Sequence, residues 1–460
     1  MSKYDVIIVG AGPAGIFAAL ELVKKNNLKV LVLEKGDDID ERMRRLESKE
    51  RDFQSAVTSG WGGAGAFSDG KLTLSTEIGG WLGEYVSRDV LQSLINYVDG
   101  IYKEFGATSE EYGTNNEKVD ELHRQAELAG LVLIPAKIRH IGTERVRKIM
   151  KSMKEFLDSK IETRTGKDSE VESVLIENRK VTGVRFANGK EIKGECVIVA
   201  PGRVGSDWLS SEAHRLDLRL HMNAVDIGLR LEMPASVMEP VTKFLYEPKL
   251  VYYSKSFDDK VRTFCVCPQG EVAKEAYGDI VTVNGHSYAD KKTENTNFAI
   301  LVSTAFTEPF KEPISYGKHI ARLANLLGGG ILVQRLGDLK KGRRSTKARI
   351  AQSIVKPTLK DATPGDLSFV LPYRYISDIL EMIEVLDKIA PGLNSTNTLL
   401  YGVEVKFYSS RLQLRPTLET EVENLYAIGD GAGVTRGLVQ SSASGVVAAR
   451  AILNKIKKEN

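Results

Sequence analysis

The first 34 residues constrain the fold more than any other part of the chain. An apolar run from Asp5 to Val9 ends at the glycine turn Gly10-Ala-Gly-Pro-Ala-Gly15, after which apolar residues recur at helical spacing. A second apolar run, Lys29 to Leu33, follows, and Glu34 stands at its carboxyl end, 19 residues after Gly15. The order of strand, glycine turn, helix and strand predicts a βαβ unit in a parallel sheet.

This βαβ unit has the residues that a dinucleotide requires. Gly10 makes the tight turn, Gly12 lets a pyrophosphate meet backbone N–H groups, and Gly15 lets helix and strand pack closely. Glu34 can accept hydrogen bonds from an adenosine ribose, and its charge disfavours a 2′-phosphate at this site. We therefore predict a dinucleotide site rather than a purely structural glycine turn. The predicted binding residues here also include Pro13, Ala14 and Lys35.

The far end of the chain separates FAD from NAD, which share this fingerprint. The segment TEVENLYAIGD, 420–430, contains a short apolar strand followed by Gly429 and Asp430. It resembles the second FAD signature of the glutathione-reductase-like flavoproteins, in which the aspartate binds the ribitol chain. The run CVIVAPG ends in Ala200-Pro-Gly202, similar to the Ala-Thr-Gly motif of these flavoproteins, although its middle residue departs from the motif. Ala200 and Gly202 are therefore also predicted to bind the cofactor.

The segment between these motifs predicts the rest of the FAD-binding domain. Apolar runs at 174–176 and 181–186 are separated by turn signals, which indicates an antiparallel β-meander. Val171, at the start of this region, is included among the predicted cofactor-binding residues. Because three separated pieces of chain converge on one extended ligand, we predict FAD as the cofactor.

Three further segments resemble a known family of flavoproteins. They are GWGGAGAFSDGKL at 60–72, RTFCVCPQGEV at 262–272 and VNGHSYADKKTENTNFAILVS at 283–303. They resemble uncharacterised FAD-dependent dehydrogenases, the NAD(FAD)-utilising dehydrogenases, which are distantly similar to BaiN-type flavoproteins. The resemblance covers most of the chain, and it implies the fold more specifically than the function, because the substrates of this family are largely unassigned.

The resemblance implies a role for the glycine-rich loop, which we define as residues 60–71. This loop has five glycines between Gly60 and Gly70, and it follows a predicted helix at 40–51. The resemblance implies that it passes the pyrophosphate and the edge of the isoalloxazine ring, with Gly63 and Ala64 as contacts. Consecutive glycines fit this role because they expose N–H groups to an anion and leave room for a flat ring.

The polar end of the glycine-rich loop is the first candidate for chemistry. Ser68 is predicted to hydrogen-bond near flavin N5, and Lys71 to stabilise negative charge on reduced flavin or on an anionic substrate. The alternative is a salt bridge between Asp69 and a neighbouring cation, with Lys71 solvated.

A second glycine segment, 431–437, leads into a helix rich in small residues. In flavoproteins of this type the start of this helix points its N–H groups at the pyrimidine end of the flavin, where negative charge accumulates on reduction. Val439 and Gln440 are the predicted contacts. Arg436 either carries a charge that faces the substrate or forms a surface pair.

These assignments predict an α/β protein in two domains. A glutathione-reductase-like, FAD-binding Rossmann domain, with a parallel sheet and an antiparallel meander, is predicted at 1–224 and 403–460. Residues 225–402 lack a nucleotide fingerprint. Their apolar spacing predicts mixed strands and helices, including a strand at 226–232 and a helix at 375–389. They are predicted to form an inserted α+β substrate or cap domain.

The source of electrons stays open at this point. No separate NAD(P)H domain is recognisable, so NAD(P)H binding transiently over the flavin, the substrate itself, or a protein partner could supply them. His286 and Tyr288 are predicted to act as acid or base, because both can donate a proton to a carbon acceptor. Cys265 and Cys267 form a Cys-x-Cys pair on an apolar strand, which indicates packing rather than catalysis.

Composition narrows the range of functions. The chain has 460 residues, 42% hydrophobic and 27% charged, with a formal net charge of +3, which argues against a dedicated nucleic-acid binder. Three cysteines and six scattered histidines predict neither a disulfide framework nor a metal site. The sequence shows no signal peptide and no apolar run near the roughly 20 residues that span a bilayer. We expect a soluble, cytoplasmic protein without a membrane partner, and its oligomeric state stays open.

The leading hypothesis is an FAD-dependent oxidoreductase that transfers a hydride between flavin N5 and a small organic substrate. A flavin-dependent monooxygenase is the second hypothesis. A flavoprotein that binds or modifies RNA is the third, because the segment 337–350, GDLKKGRRSTKARI, holds six basic residues in fourteen. The usual explanation of such a segment is a solvated loop, and nucleic acid is not the expected partner.

Overall fold

The structure is a computed structural model. It describes residues 3–25, 27–48, 57–134, 136–221, 224–277, 280–287, 292–304, 306, 312–406 and 411–459. In chain order, the strands are β1 (Tyr4–Val9), β2 (Val30–Glu34), β3 (Lys71–Thr73), β4 (Val132–Ile134), β5 (Ile138–His140), β6 (Glu162–Thr165), β7 (Val171–Glu177), β8 (Lys180–Phe186), β9 (Glu191–Val199), β10 (Leu220–His221), β11 (Val225–Pro234), β12 (Lys249–Tyr253), β13 (Lys260–Cys267), β14 (Glu271–Tyr277), β15 (Ile280–His286), β16 (Asn295–Thr304), β17 (Leu332–Arg335), β18 (Thr363–Pro364), β19 (Leu399–Lys406), β20 (Arg411–Leu412) and β21 (Leu425–Ala427).

The α-helices are α1 (Pro13–Leu22), α2 (Ile39–Glu47), α3 (Arg88–Glu104), α4 (Asn116–Ala129), α5 (Thr143–Asp158), α6 (Ser206–Arg215), α7 (Ala235–Thr242), α8 (Pro313–Gly328), α9 (Leu336–Leu339), α10 (Lys347–Ala351), α11 (Tyr373–Leu386) and α12 (Leu438–Glu459). Short 3-10 helices lie at Gly63–Phe67, Leu82–Glu84, Lys167–Ser169, Leu367–Phe369 and Asp430–Ala432.

The chain divides into two compact units. Unit 1 comprises residues 1–110, 139–223 and 409–460, and unit 2 comprises residues 111–138 and 224–408. The predicted FAD-binding domain included 111–138 and 403–406, which the structure groups with unit 2 instead. Residues 403–406 end β19, which lies within the unit 2 sheet. The reason for 111–138 is a long-range pairing, because β4 lies at the edge of the unit 2 sheet, antiparallel to β12.

Unit 1 is built on a Rossmann-like parallel sheet, as predicted. Strands β6, β2, β1 and β9 lie side by side in parallel, and β21 pairs in parallel with β9. The predicted meander is also present, since β7, β8 and β9 are consecutive antiparallel neighbours. The apolar runs read from the sequence form these strands because both faces of a parallel sheet are buried, which requires near-continuous hydrophobic segments.

Two helices pack closely against each other in unit 1. The sequence of α12 is rich in small residues, and a Cβ at Gly445 would lie 2.1 Å from the carbonyl oxygen of Ala14 in α1. The absence of a side chain at Gly445 therefore lets α12 approach the backbone of α1. This packing brings the C-terminal part of the chain to the first glycine turn.

Unit 2 contains an eight-stranded sheet in the order β18-β17-β19-β11-β16-β13-β12-β4 and a separate hairpin of β14 and β15. The predicted strand at 226–232 lies within β11, which pairs with β16 and β19 on its two sides and whose residues are buried up to Met233. The predicted helix at 375–389 is α11, two residues earlier at its start and three at its end. Among the helices described here, none is long and apolar enough to cross a membrane.

Candidate functional site

The first glycine turn, residues 10–15, is held by very close backbone contacts. Gly10 has φ of +104°, and a Cβ there would lie 2.2 Å from the carbonyl oxygen of Ala200. A Cβ at Gly15 would lie 2.0 Å from the carbonyl oxygen of Gly10. These two glycines are therefore required by the fold itself, because any side chain would push the turn away from α1 and β9.

Gly12 differs from its neighbours because the space beside it is open. It is the N-cap residue of α1, with Pro13 at the first helical position, and a Cβ at Gly12 would meet no heavy atom of the described chain within 4 Å. The same holds for Gly202. The N-terminus of a helix offers free N–H groups and the positive end of its dipole to an anion. This open cradle fits the pyrophosphate of a dinucleotide.

Glu34 lies at the carboxyl end of β2 and closes the same turn. Its Oε2 accepts a hydrogen bond from the N–H of Ala11 at 2.9 Å, and its Oε1 accepts one from the N–H of Gly36 at 2.8 Å. Each carboxylate oxygen keeps a further lone pair for a ribose hydroxyl. Lys35, which follows Glu34 in the chain, lines a cleft of about 270 Å³ together with Gly36, Asp37, Arg45, Ser59, Lys167 and Glu170.

The second predicted FAD motif lies beside the first glycine turn. A Cβ at Gly429 would be 3.0 Å from the Cβ of Ala14, and one at Gly431 would be 2.4 Å from the carbonyl oxygen of Gly202. The three predicted pieces, 10–15, 200–202 and 429–431, therefore meet at one place in unit 1. The structure brings together the backbone of these residues, as an extended nucleotide requires.

The loop after Asp430 fixes the position of its carboxylate. Its Oδ1 accepts hydrogen bonds from the hydroxyl of Thr435 at 2.9 Å and from the N–H of Gly437 at 3.3 Å. Burial raises the pKa of the Asp430 carboxyl, although the charge of Arg203 opposes the shift. A buried carboxylate gains from further donors, and the hydroxyls of a ribitol chain are such donors.

The start of α12 holds a buried side-chain amide at Gln440. Val439 is buried, and the Gln440 side chain is buried with Nε2 donating to the carbonyl oxygen of Ile78 at 3.0 Å. Within the described part of the chain, no donor reaches Gln440 Oε1. Since buried acceptors are normally satisfied, this oxygen fits a ligand N–H. Arg436 lies nearby in sequence, with its guanidinium 4.1 Å from the centre of the Trp81 ring.

The glycine-rich loop contacts the first glycine turn directly. The N–H of Gly62 donates to the carbonyl oxygen of Ala11 at 2.8 Å. A Cβ at Gly63 would lie 3.1 Å from Gly12 Cα, and one at Gly65 would lie 2.9 Å from Pro13 Cγ. Ala64 lies between them in the 3-10 helix. The loop therefore borders the open cradle, while the cofactor contacts predicted for Gly63 and Ala64 stay predictions.

Arg42 holds this loop in place through hydrogen bonds, a role that the sequence does not indicate. The predicted helix 40–51 is α2, which ends at Glu47, and residues 49–51 lie outside the described residues. The fully buried Arg42 side chain donates to the carbonyl oxygens of Val57 at 3.0 Å and Gly63 at 2.9 Å, and also to that of Trp61. Burial lowers the pKa of the Arg42 guanidinium to about 10.

Ser68 and Lys71 have local partners. The Ser68 hydroxyl donates to the carbonyl oxygen of Gly65 at 2.8 Å. Lys71 Nζ lies 2.9 Å from Asp69 Oδ2, and the Lys71 side chain is only 7% exposed. The alternative of a solvated Lys71 is therefore wrong, because the neighbouring cation that pairs with Asp69 is Lys71 itself. Burial lowers the pKa of the nearby His140, which Asp69 opposes and Lys71 reinforces.

The remaining predicted residues are dispersed. Val171 is buried at the start of β7, opposite Phe186 of β8. His286 is the last residue of β15 in unit 2, and its side chain is exposed. Tyr288 lies outside the described residues. The roles predicted for Val171, His286 and Tyr288 stay predictions.

Unit 2 contains a buried ionic cluster that the sequence did not reveal. Arg230 and Glu404 are both fully buried and form a bidentate ion pair, with Arg230 Nε 2.7 Å from Glu404 Oε2. Lys406 Nζ lies 3.2 Å from Glu404 Oε1 and 3.0 Å from Glu275 Oε2. Arg230 Nη1 also donates to Asn297 Oδ1 at 2.7 Å. We call these five residues the buried ionic cluster.

The basic segment 337–350 is partly organised around a buried acid. Asp338 accepts hydrogen bonds from Arg335 at 3.0 Å, Arg343 at 2.8 Å and the Ser345 hydroxyl at 2.7 Å. Burial raises the pKa of Asp338, but these donors outweigh it and lower the pKa to about 2. Arg343 therefore serves the internal structure of this segment.

Comparisons with known proteins match three parts of the chain to protein families. Residues 225–407 match the family "FAD-dependent protein, C-terminal domain-like", residues 8–58 match the NAD(P)-binding Rossmann-like domain, and residues 362–460 match glucose inhibited division protein A. An uncharacterized protein of Clostridium beijerinckii is 29% identical over 98% of this chain and 81% of its own length.

Two solved structures are also similar to the chain. L-proline dehydrogenase from P. horikoshii has a TM-score of 0.41 and 11% identity, covering 100% of this chain and 94% of its own. Glycine oxidase from Bacillus cereus has a TM-score of 0.34 and 15% identity, covering 98% of this chain and 96% of its own.

The Rossmann-like unit, its open cradle and the family matches support an FAD-dependent oxidoreductase as the class of this protein. Within that class, residues 225–407 are similar to the C-terminal domain of FAD-dependent proteins, and FAD is the cofactor that these matches support.

Proposed function

We propose that this protein transfers a hydride between FAD and a small organic substrate, either reducing a C=C bond or oxidising a saturated C–C or C–N bond. The observation that carries the proposal is the meeting of the segments 10–15, 200–202 and 429–431 around the open space at Gly12. FAD, when bound, supplies the two-electron chemistry, while the protein supplies binding, orientation and electrostatics.

The residues of the cradle have distinct proposed tasks. The N-terminus of α1 binds the pyrophosphate through its free N–H groups. Glu34 accepts hydrogen bonds from the adenosine ribose, and Asp430 accepts them from the ribitol chain. Gln440 Oε1 accepts a hydrogen bond from an N–H of the ring system, which would satisfy its buried oxygen.

Lys71 is proposed to stabilise negative charge that develops at this site, with Asp69 fixing the position of its ammonium group. The Asp69 carboxylate also offsets part of the positive charge of Lys71. Removing Lys71 and removing Asp69 should therefore shift the flavin potential in opposite directions. In the FAD-loaded protein, Lys71→Met should lower the flavin midpoint potential by about 30 mV, or about 1.4 kcal/mol for a two-electron couple. Asp69→Asn should raise the potential, because it removes the opposing charge.

Lys148 provides the matched control, because it is an exposed lysine on α5. Lys148→Met should leave the potential unchanged. Equal shifts of the same sign in Lys71→Met and Asp69→Asn would indicate a structural effect and remove Lys71 from the proposed chemistry.

NAD(P)H is proposed as the electron donor, bound transiently because the chain showed no second dinucleotide fingerprint. Anaerobic titration of the FAD-loaded protein tests this directly. Bleaching of the flavin absorbance by NADH or NADPH supports the proposal. Bleaching only by a metabolite from a substrate screen would instead make the substrate the donor. We further propose a small-molecule substrate and a cytoplasmic location, without nucleic acid or membrane as a partner.

A further inference from the structure

Unit 2 holds a pair of cysteines that the proposed function does not use. Cys265 and Cys267 lie on β13, and their sulfur atoms are 3.9 Å apart. A disulfide bond is about 2.05 Å long, so a modest rotation of the two side chains would bring the sulfurs to bonding distance. The two thiols are therefore close enough to form a bond without rearrangement of the sheet.

The backbone at this pair departs from a regular strand. In an extended strand, residues two apart are separated by roughly 6.6 Å, near the upper limit that a disulfide tolerates between Cα atoms. Here the pairing of β13 with β16 shifts register between Phe264 and Cys267, and Cys265 has φ of +46°. Such an irregularity re-aims side chains along a strand. It explains why the two sulfurs approach each other.

Arg230 of the buried ionic cluster lies next to this pair of cysteines. Arg230 Nη1 donates to the carbonyl oxygen of Cys265 at 3.2 Å. Burial lowers the pKa of Arg230, but attraction to Glu404 and to both cysteines outweighs it, so the net shift is upward. A neighbouring cation favours a thiolate, which is the nucleophile in thiol–disulfide exchange.

The two cysteines differ in exposure. Cys265 is partly exposed and Cys267 is buried. This asymmetry suits an attacking thiol that a small reagent can reach and a resolving thiol behind it. A metal site is less consistent with the surroundings, because the described residues contain no group of three or more His, Cys, Asp or Glu side chains placed to hold an ion.

We propose that Cys265 and Cys267 form a redox-active dithiol that exchanges with the disulfide of a low-molecular-weight thiol. The Cys265 thiolate attacks the small disulfide, forming a mixed disulfide and releasing one small thiolate. The Cys267 thiolate then attacks the Cys265 sulfur, forming the Cys265–Cys267 bond and releasing the second small thiolate. The two protons from the cysteines pass to the two released thiolates. One small disulfide is thereby reduced while two protein thiols are oxidised.

Glutathione disulfide is the probe for this proposal. The full-length, FAD-loaded protein is equilibrated with glutathione disulfide, free thiols are alkylated, and the products are mapped by mass spectrometry. We expect two of the three thiols to be lost and a peptide in which Cys265 and Cys267 are joined, with Cys196 still alkylated after denaturation. Dithiothreitol should restore all three thiols. The variant Cys196→Ala is the matched control, because Cys196 is buried on β9 of unit 1 and should not affect the exchange.

Trapping the intermediate tests the order of events. Cys267→Ser should accumulate one glutathione adduct on Cys265, whereas Cys265→Ser should react at least tenfold more slowly. Both variants must keep the FAD absorbance and thermal midpoint of the wild type. The proposal is overturned if Cys265 and Cys267 of the wild type are both still free, and therefore alkylated, after equilibration with glutathione disulfide. It is also overturned if the wild type retains a stable glutathione adduct. It does not depend on the flavin chemistry, so its failure leaves the proposed oxidoreductase function intact.

Discussion

Two glycine-rich segments of unit 1 have similar composition and opposite surroundings. In the first glycine turn, Gly12 faces open space at the start of α1. In the glycine-rich loop, a Cβ at Gly60 would lie 2.5 Å from Arg42 Cδ, and one at Gly70 would lie 2.5 Å from Val146 Cγ2. Gly12 in the first segment leaves room for a ligand, whereas Gly60 and Gly70 in the second segment are packed against protein.

The difference shows that glycine density alone does not identify a binding site. Gly60 and Gly70 both have positive φ and close neighbours, so they allow the loop to fit between α2 and α5. Gly12 has φ of −75°, which any residue adopts, so the fold does not require glycine there. A glycine that the fold does not require is the better indicator of a ligand.

The largest expected effect separates Gly10 from Gly12 within the same turn. Gly10→Ala should destabilise the protein by about 3 kcal/mol or more, because of its positive φ and the contact with Ala200. Gly12→Val should leave the thermal midpoint of the FAD-free protein unchanged and abolish FAD binding. Urea unfolding and flavin absorbance measure the two effects. Equal destabilisation of both variants would contradict the distinction.

Arg42 should have the next largest effect. Arg42→Met removes the donor to three carbonyl oxygens of the glycine-rich loop and its surroundings, and it should cost about 3 kcal/mol. Arg44→Met is the control on the same helix, because the Arg44 side chain is exposed and pairs with the nearby Glu41 at the surface. In urea unfolding, the midpoint concentration should fall in Arg42→Met and should stay within experimental error of the wild type in Arg44→Met.

A substitution at Gly60 should have a smaller effect on the free energy of unfolding. Comparison with Gly106 separates the cost of steric contacts from the cost of positive φ. Gly60→Ala should cost about 2 kcal/mol, because it combines positive φ with contacts to Arg42 and Asp37. Gly106→Ala has a similar φ of +105°, but its Cβ would meet no atom of the described residues within 4 Å, so it should cost about 1 kcal/mol. If both variants unfold at the same urea concentration, crowding at Gly60 is not significant.

The smallest expected effect is the pH dependence at His140, next to the loop. Burial lowers the pKa of His140 below its ordinary value of 6.5. The unfolded chain therefore binds a proton more readily, so this contribution to stability is complete above pH 6.5 and declines as the pH falls through and below that value. Thermal midpoints from pH 5 to 8 should show a shallower slope in His140→Gln. His214→Gln, at an exposed histidine on α6, should keep the wild-type slope.

Local patterns made much of unit 1 predictable. The strands β1 and β2 and the second half of β9 are largely apolar runs, and Gly10 and Gly15 fit the tight turn between strand and helix. The three nucleotide-binding segments could be recognised separately, and their convergence follows from the topology of a parallel sheet.

Long-range contacts set the limit of prediction. The segment 111–138 belongs to unit 2 because β4 pairs with β12, more than a hundred residues away. The role of Arg42 depends on the loop that folds over α2, and its sequence position is that of an ordinary helical arginine. The distance between Cys265 and Cys267 depends on an irregularity in β13 that apolar alternation does not reveal. Each of these features arises from tertiary structure rather than local propensity.

The most direct test is the FAD stoichiometry of purified and reconstituted protein. The wild type should bind one FAD per chain and show flavin absorbance, whereas Gly12→Val should bind none while keeping the thermal midpoint of the FAD-free wild type. A colourless wild type that takes up no FAD on reconstitution, or a Gly12→Val variant with a full complement of FAD, would contradict the account.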